Sequence, residues 1–352
     1  MFNPQYKMTD EIVSLLTEIA EAKAVIERAK ILPKQELRLR RQAMVRMAHA
    51  STGIEGNELN IHQVEALANH KKIDATARDI YEVENYLNAL RYISKVVEKK
   101  DSISQKVLLK IHQFVTNKTL SDAQSGHFRT SPVYVVRRRL GMPDDIVYTA
   151  PEAKKVVALV GDLIKWIQES KRKEINPVIV AGVVHQEIAS IHPFVDGNGR
   201  TARALATLVL YERGYDFRRL FALEDFYNED RPSYYQAINI GKNYEERKTD
   251  LTGWLTYFVT GFKKEIDHVR SQVITLGRKG VDVGVESQVY LEPEQIKILD
   301  FLEGVGRITV KDVVDILNCP KRTAQFNLLK LKKIKLITQV GRGPTTAYIV
   351  SE

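Results

Sequence analysis

The stretch INPVIVAGVVHQEIASI, residues 175–191, restricts the fold more than any other part of the chain. Asn176 has the side chain of a helix N-cap, Pro177 suits the first helical position, and the residues that follow are apolar on almost every side. A helix without a polar face has to be enclosed, so other helices must surround it. Suitable partners lie upstream: Ile12, Leu15, Leu16 and Ile19 share one helical face, and Val83, Tyr86, Leu87 and Leu90 share another. Between them QELRLRRQAMVRMAHAS reads as a basic amphipathic helix that stops at Ser51-Thr52-Gly53. Asp101 and Ser102 read as the entry to a further helix, with Leu108, Leu109, Ile111, His112 and Phe114 on its inner face. Downstream, TARALATLVLYERG reads as a helix from about Arg200 with Gly214 as its C-cap.

Residues 126–150 break this pattern. Thr130 to Val136 is rich in β-formers, Gly141 to Asp145 is turn material, and Ile146 to Tyr148 returns as a second strand. Near residues 261–290 apolar density drops while Gly and charge rise, which reads as a linker. Beyond it come one helix (LEPEQIKILDFLEG), a second opened by a capping-box spacing from Thr309 to Asp312, the turn Asn318-Cys319-Pro320 and a third helix (KRTAQFNLLKLKK). A hairpin of LITQV and AYIV closes the chain, and the order is that of a winged helix-turn-helix. The expected division is 1–105 for an N-terminal helical region, 106–262 for a core, 263–288 for the linker and 289–352 for the winged helix domain. The fold class expected is mainly α, a helical bundle carrying a small β-hairpin.

Composition narrows the function classes. Of 352 residues 44% are hydrophobic and 28% charged, so a core forms and wholesale disorder is excluded. No apolar run approaches the ~20 residues of a membrane span, and the N-terminus lacks a signal-peptide core, so no membrane partner is expected. Cys319 is the single cysteine, which excludes an intrachain disulfide or thiolate zinc site and fits a reducing, cytoplasmic compartment. A net charge of +9 allows a polyanionic partner or a phosphorylated ligand without requiring either.

The chemistry concentrates in HPFVDGNGRTAR, residues 192–203. Gly197 and Gly199 let the backbone turn tightly and bring N–H groups near a ligand, and a helix starts immediately afterwards. Arg200 and Arg203 share one face of its first turn, which makes an anion nest suited to a polyphosphate. Asp196 offers a hard oxygen ligand for magnesium, and His192 can act as general base. Together they suggest phosphoryl or nucleotidyl transfer to an incoming hydroxyl. No Walker-type or G-x-G-x-x-G loop is present, so this loop is the nucleotide-binding candidate. His185 lies on the same helical face as His192, but Ala189 supplies no second ligand one turn on, so it reads as a buried helix histidine.

This string fills every defined position of H-x-F-x-[DE]-G-N-G-R-x-x-R and resembles the signature of the Fic family. The resemblance implies a Fic-type helical bundle that transfers AMP from ATP, with Mg2+, to a Ser, Thr or Tyr hydroxyl of a protein, releasing pyrophosphate. His192 would be the base, Phe194 an anchor for the loop, and Asp196 the magnesium ligand. Gly197, Asn198 and Gly199 would surround the α-phosphate, Arg200 would bind the β-phosphate and Arg203 the γ-phosphate. Relatives with phosphoryl transfer have lost the second glycine, kept here as Gly199, which favours AMP transfer. Ser51, Glu55 and Gly56 resemble the family's inhibitory motif [ST]-x-x-x-E-[GN], implying that Glu55 pairs with Arg203 and misplaces ATP. In some relatives the same glutamate positions water for AMP removal, so the resemblance also implies AMP removal through Glu55 as an alternative activity.

A further implied site is a hairpin flap with Val133, Tyr134 and Val135 as its target-binding edge; Arg137 to Arg139 beside it read as a solvated charge run or as an attractor of acidic targets. Tyr234 and Tyr235 would either flank the adenine or belong to the core, while Lys242, with Asn243 beside it, stands where relatives place an adenine-edge asparagine. In the tail, Lys321, Arg322, Thr323, Gln325 and Asn327 could face a DNA groove and Arg342 the backbone, or the domain could dock a protein or form a homodimer. The enzyme reading, with itself as one target, therefore stands beside that of a DNA-binding transcriptional regulator whose Fic core senses nucleotide.

Overall fold

The computed structural model describes residues 2–137, 145–282, 291–341 and 346–351. The chain opens with Asp10–Arg28 (α1), Pro33–Ile54 (α2), Ile61–Ala68 (α3), Ala77–Glu98 (α4) and Gln105–Val115 (α5). A hairpin of Tyr134–Arg137 (β1) and Asp145–Thr149 (β2) follows. Helices resume with Ala153–Arg172 (α6), Pro177–Ile191 (α7), Asn198–Glu212 (α8), Leu223–Glu229 (α9), Arg231–Ile238 (α10) and Thr252–Asp282 (α11). Pro293–Val305 (α12), Val310–Leu317 (α13), Lys321–Lys333 (α14), Ile337–Val340 (β3) and Ala347–Val350 (β4) end the chain. Two units result, residues 1–28 with 42–271 and residues 29–41 with 272–352, and α2 and α11 contribute to both.

In the first unit α7 is buried from Val178 to Ile191 on all sides except at Ala189, and Asn176 caps it by accepting from Val178 N. α8 lies against it, and α11 comes close where Gly182 leaves room. Trp254 Nε1 donates to Gly182 O at 2.7 Å, and a Cβ on Gly182 would meet Leu255 Cδ2 at 2.8 Å. The α5 entry differs from expectation: Ser104, not Asp101 or Ser102, accepts from Val107 N and begins the helix. In the hairpin Tyr134 pairs with Thr149 and Arg137 with Asp145, with a register irregularity between Val135 and Val136. Arg138, Arg139 and the turn from Gly141 to Asp144 lie outside the described residues.

The expected linker needs correcting. α11 continues to Asp282, because Phe262, Ile266, Val269 and Val273 recur at helical spacing and are fully buried. Charge on the other face of the helix lowered the average apolar density without breaking that stripe. Residues 283–288 of the predicted linker lie outside the described residues.

The second unit has its own core, in which Ile298, Leu302, Val313, Leu328 and Tyr348 pack with Leu37 from the first part of α2. Thr309 and Asp312 form the expected capping box on α13, and Asn318 ends that helix in the left-handed conformation (φ 46°). β3 pairs antiparallel with β4 from Ile337 opposite Val350 to Val340 opposite Ala347.

Because the α7–α11 contact relies on a missing side chain, Gly182→Val is expected to destabilise the first unit by about 1–3 kcal/mol through overpacking. Thermal unfolding of the variant against Gly253→Ala, where an added Cβ meets nothing within 4 Å, checks this.

Candidate active site

α7 ends at His192 in the left-handed conformation (φ 49°, ψ 58°), which turns the chain sharply off the buried helix. Gly197 makes the second left-handed turn (φ 75°, ψ 12°) just before α8, and a Cβ there would meet Thr116 Cγ2 at 2.8 Å. Between these turns the loop is tied to itself and to its walls. Asn198 Oδ1 accepts from Phe194 N and its Nδ2 donates to Phe194 O, both at 2.9 Å. The Phe194 ring stacks on His112 with centroids 3.7 Å apart. His112 Nδ1 accepts from Gly126 N at 2.9 Å, which leaves Nε2 to donate to Asp196 O at 3.0 Å.

Arg129 secures the other end. Its Nε donates to His192 O at 2.7 Å and its Nη2 to Pro151 O at 2.6 Å, while its own N–H donates to Pro193 O at 3.0 Å. The base of the hairpin and the loop are thus held as one piece. His192 Nδ1 donates to Ala189 O at 3.0 Å, so Nε2 carries the lone pair. Burial holds the His192 pKa below its ordinary value, opposed by the Ala189 carbonyl and the Glu55 charge, and the ring is neutral near pH 7.

Charges ring the loop in alternating sign. Asp196 Oδ1 accepts from Gly197 N at 2.6 Å, Asp196 Oδ2 lies 3.6 Å from Arg78, and Arg78 and Arg200 both pair with Glu82, at 3.1 and 3.4 Å. Arg200 is 1% exposed; its Nε makes no hydrogen bond, and its Nη1 has only the 3.4 Å ion pair with Glu82. Buried guanidinium donors left in that state mark a place where an anion would be stabilised. Asp196, with 41% of its side chain exposed, presents one carboxylate to the same opening. Magnesium is usually held by one or two carboxylates plus substrate phosphates, so this donor set fits that ion.

One turn on, Arg203 is enclosed. Its Nη2 donates to Glu55 Oε1 at 2.7 Å and to Ser51 O at 2.9 Å, its Nε donates to Ser51 Oγ at 2.8 Å, and its Nη1 reaches Tyr234 Oη at 3.4 Å. Burial opposes the cation, but Glu55, Tyr234 and Tyr86 outweigh it and raise the Arg203 pKa above the ordinary arginine value. Gly199 is what lets Glu55 in, since a Cβ there would run into the Glu55 carboxylate.

The structure therefore brings together His192, Asp196, Gly197, Asn198, Gly199, Arg200 and Arg203 with Ser51 and Glu55. Tyr234 does not stand beside them as an adenine wall. It is 3% exposed, stacks on Tyr227 and shares its hydroxyl between Arg203 and His185 Nε2 at 3.0 Å, because its position on α10 faces the core. His185 is accordingly a core histidine, as its surroundings on α7 suggested. Tyr235 is half-exposed and donates to Ile54 O at 3.0 Å, next to Glu55. Tyr134 is exposed and Val133 and Val135 are half-buried, and Thr149 at the end of β2 bonds Lys242 O and Tyr244 N. Asn243 Nδ2 donates to Glu246. In the second unit Lys321, Arg322, Thr323 and Gln325 are exposed on α14, whereas Asn327 is 7% exposed and donates to Thr323 O. Asn327 falls on the face of Ala324, Leu328 and Leu331, which removes it from any groove-facing set; Arg342 lies outside the described residues. Sequence patterns held no signal for Arg129, Arg78, Glu82 or Glu224, and placed His112 and Tyr86 only as core-facing.

The Fic/DOC family model matches residues 102–210, so the chain contains a Fic domain. Protein adenylyltransferase Fic of Drosophila grimshawi is 29% identical over 208 residues, 58% of this chain and 39% of that protein. Protein adenylyltransferase fic-1 of Caenorhabditis elegans is 28% identical over 182 residues, 51% of this chain and 34% of that protein. The matched part thus takes up well under half the length of these relatives. Among solved structures, a Fic family protein from Desulfovibrio desulfuricans shares the fold at TM-score 0.63 and 24% identity, covering 99% of this chain and 98% of that one. Fic-1 from C. elegans does so at TM-score 0.58 and 20% identity, covering 75% and 73%. No described helix is long and apolar enough to cross a membrane.

His112 supplies a test of how the loop is held. Burial pushes its pKa down from 6.5 to about 4, so the unfolded chain takes up the proton first. Its contribution to stability is complete above pH 6.5 and is lost as pH falls from there to about 4. The loss should reach about 3 kcal/mol. Denaturant unfolding across that range, with the His112 imidazole followed by NMR, should show a titration well below that of a free histidine.

Proposed function

We propose that this protein is a Fic-type adenylyltransferase that moves AMP from ATP to a hydroxyl side chain of a protein and is held inactive by Glu55. The observation that carries the reading is a neutral His192, its Nδ1 held by Ala189 O, at the sharp turn that opens a loop with Asp196 and leads into the helix N-terminus bearing Arg200 and Arg203. Nε2 takes the proton from the incoming Ser, Thr or Tyr hydroxyl. The hydroxyl oxygen bonds to the α-phosphorus as the bond to the bridging oxygen breaks, and pyrophosphate leaves. Arg200 and the N–H groups opening α8 stabilise the negative charge that builds on the phosphates. Mg2+ held by Asp196 would supply further positive charge to the phosphates.

Arg203 would take the γ-phosphate, and Glu55 competes for the same guanidinium. With Glu55 in place, ATP meets an occupied arginine and a like charge, so its α-phosphate lies out of line for attack. Exposed Tyr134 on the hairpin edge supports a role for β1 in aligning the target segment.

Purified wild type, Glu55→Gly, and Glu55→Gly with His192→Ala, each incubated with magnesium and α-labelled ATP, test this. Label should pass to the protein itself or to lysate proteins in Glu55→Gly at a rate at least about tenfold above wild type. Adding His192→Ala should cut the rate by roughly 10²-fold or more. Equal labelling in all three variants would sink the assignment of both residues.

A second reading, a DNA-binding regulator, rests on the exposed Lys321, Arg322, Thr323 and Gln325 on α14. It calls for DNA binding that weakens steeply with salt and is lost on charge reversal of Lys321 and Arg322.

A further inference from the structure

Arg203 has a second anionic neighbour besides Glu55. Arginine carries no acceptor, so Ser51 Oγ must accept the Arg203 Nε–H and keeps its own proton to donate. The Tyr86 side chain lies beside Ser51, and its hydroxyl meets Glu224 Oε1 at 2.8 Å. An ionised carboxylate only accepts, so Tyr86 donates there. Arg203 donates to Ser51, Ser51 lies beside Tyr86, and Tyr86 donates to Glu224, so the four groups form one line that ends on Glu224. Every member is enclosed: Ser51 and Tyr86 are 0% exposed, Glu224 1% and Arg203 2%. Glu224 Oε2 has no hydrogen-bond partner, so the carboxylate is answered through this line and by the Arg203 charge.

We propose that Glu224 is the second counter-charge of Arg203, acting through Tyr86 and Ser51 to hold the guanidinium in position for a nucleotide γ-phosphate once Glu55 has moved away. The inference rests on the adenylyltransferase reading, in which Arg203 meets that phosphate. It assigns Glu224 a positioning role. The two carboxylates differ in the way such a division needs. Glu55, with 31% of its side chain exposed and Gly56 next to it in the left-handed region (φ 97°), can swing out. Ser51, one turn earlier and fully buried, stays with α2 and keeps the line to Glu224 intact.

The line has a polarity that depends on the charge of Glu224. A protonated carboxyl, or an amide in its place, can donate toward Tyr86 and set its hydrogen bond against those coming from Arg203. Burial pushes the Glu224 pKa up to about 7, with Tyr86 and Arg203 pulling it down and Asp225 raising it; Tyr227 and Tyr234 are the remaining titratable groups facing it. Glu224 is charged above that pH and neutral below it, so the hold on Arg203 should weaken as pH falls through about 7.

Calorimetric titration of the full chain with ATP and with ADP separates the possibilities. Glu55→Gly should bind ATP more tightly than ADP, because ADP lacks the phosphate that Arg203 would meet. Adding Glu224→Gln should shrink that preference roughly three- to tenfold while leaving the ADP affinity in place. Adding Tyr86→Phe, which cuts the line at another link and removes one oxygen only, should do the same, and it carries the test if Glu224→Gln fails to fold. The ATP preference of Glu55→Gly should fall with pH below about 7, and that dependence should disappear with Glu224→Gln. An ATP preference and pH profile untouched by either substitution would overturn the inference while leaving the adenylyltransferase reading standing. Equal affinity for ATP and ADP in Glu55→Gly itself would overturn the role of Arg203, and this inference with it.

Discussion

A guanidinium that is 2% exposed has given up nearly all its water, and the cost of leaving it unpaired would be several kcal/mol. Arg203 is such a group, and the site is arranged around meeting its demands. α2 brings Ser51 and Glu55, α10 brings Tyr234, α4 brings Tyr86, and α9 brings Glu224 behind it. Of these helices only α9 follows α8 directly in sequence; α2, α4 and α10 come from farther along the chain. The end of α2 is held against the loop because its carbonyl, hydroxyl and carboxylate oxygens all serve one cation.

The loop before α8 obeys a different constraint, that of staying still. Two left-handed turns at His192 and Gly197 set its path, Asn198 closes it on Phe194, His112 lies flat on Phe194, and Arg129 grips its carbonyls. Fixed dipoles of this kind need no reorganisation when charge develops in front of them, which is the condition under which they stabilise it best. The contrast with Glu55 is functional. The machinery proposed to act on phosphates is immobilised, whereas the carboxylate proposed to block it sits at a helix end beside a glycine and is partly exposed. In the second unit the basic residues of α14 share the outer surface with exposed Phe326 and Leu329, a face that its own core of Ile298, Leu302 and Leu328 does not use.

Much of this was legible from local signals. α7 could be read from a cap, a proline and apolar residues on every side. The loop could be read from two glycines, a carboxylate, a histidine and two arginines arranged in order at the start of a helix. The hairpin and the capping box at Thr309 likewise depend on neighbours a few positions apart. The misjudged features share a cause. The stretch after residue 262 is charged on average, although Ile266, Val269 and Val273 hold one face of a continuing helix. Tyr234 and Asn327 are residue types common at binding surfaces, and only the packing of α10 and α14 turned them inward.

What the sequence determined by itself was the central buried helix and the glycine-bearing loop before α8 with its histidine, carboxylate and two arginines, because each depends on contacts or conformations within one turn or loop. The tertiary structure decided how these are held. Arg129 meets His192 across 63 positions, Tyr86 meets Glu224 across 138, and Arg203 meets Ser51 across 152. No periodicity carries such pairings. They exist because burying a charge forces the fold to bring polar groups to it from whatever part of the chain lies next to it in space.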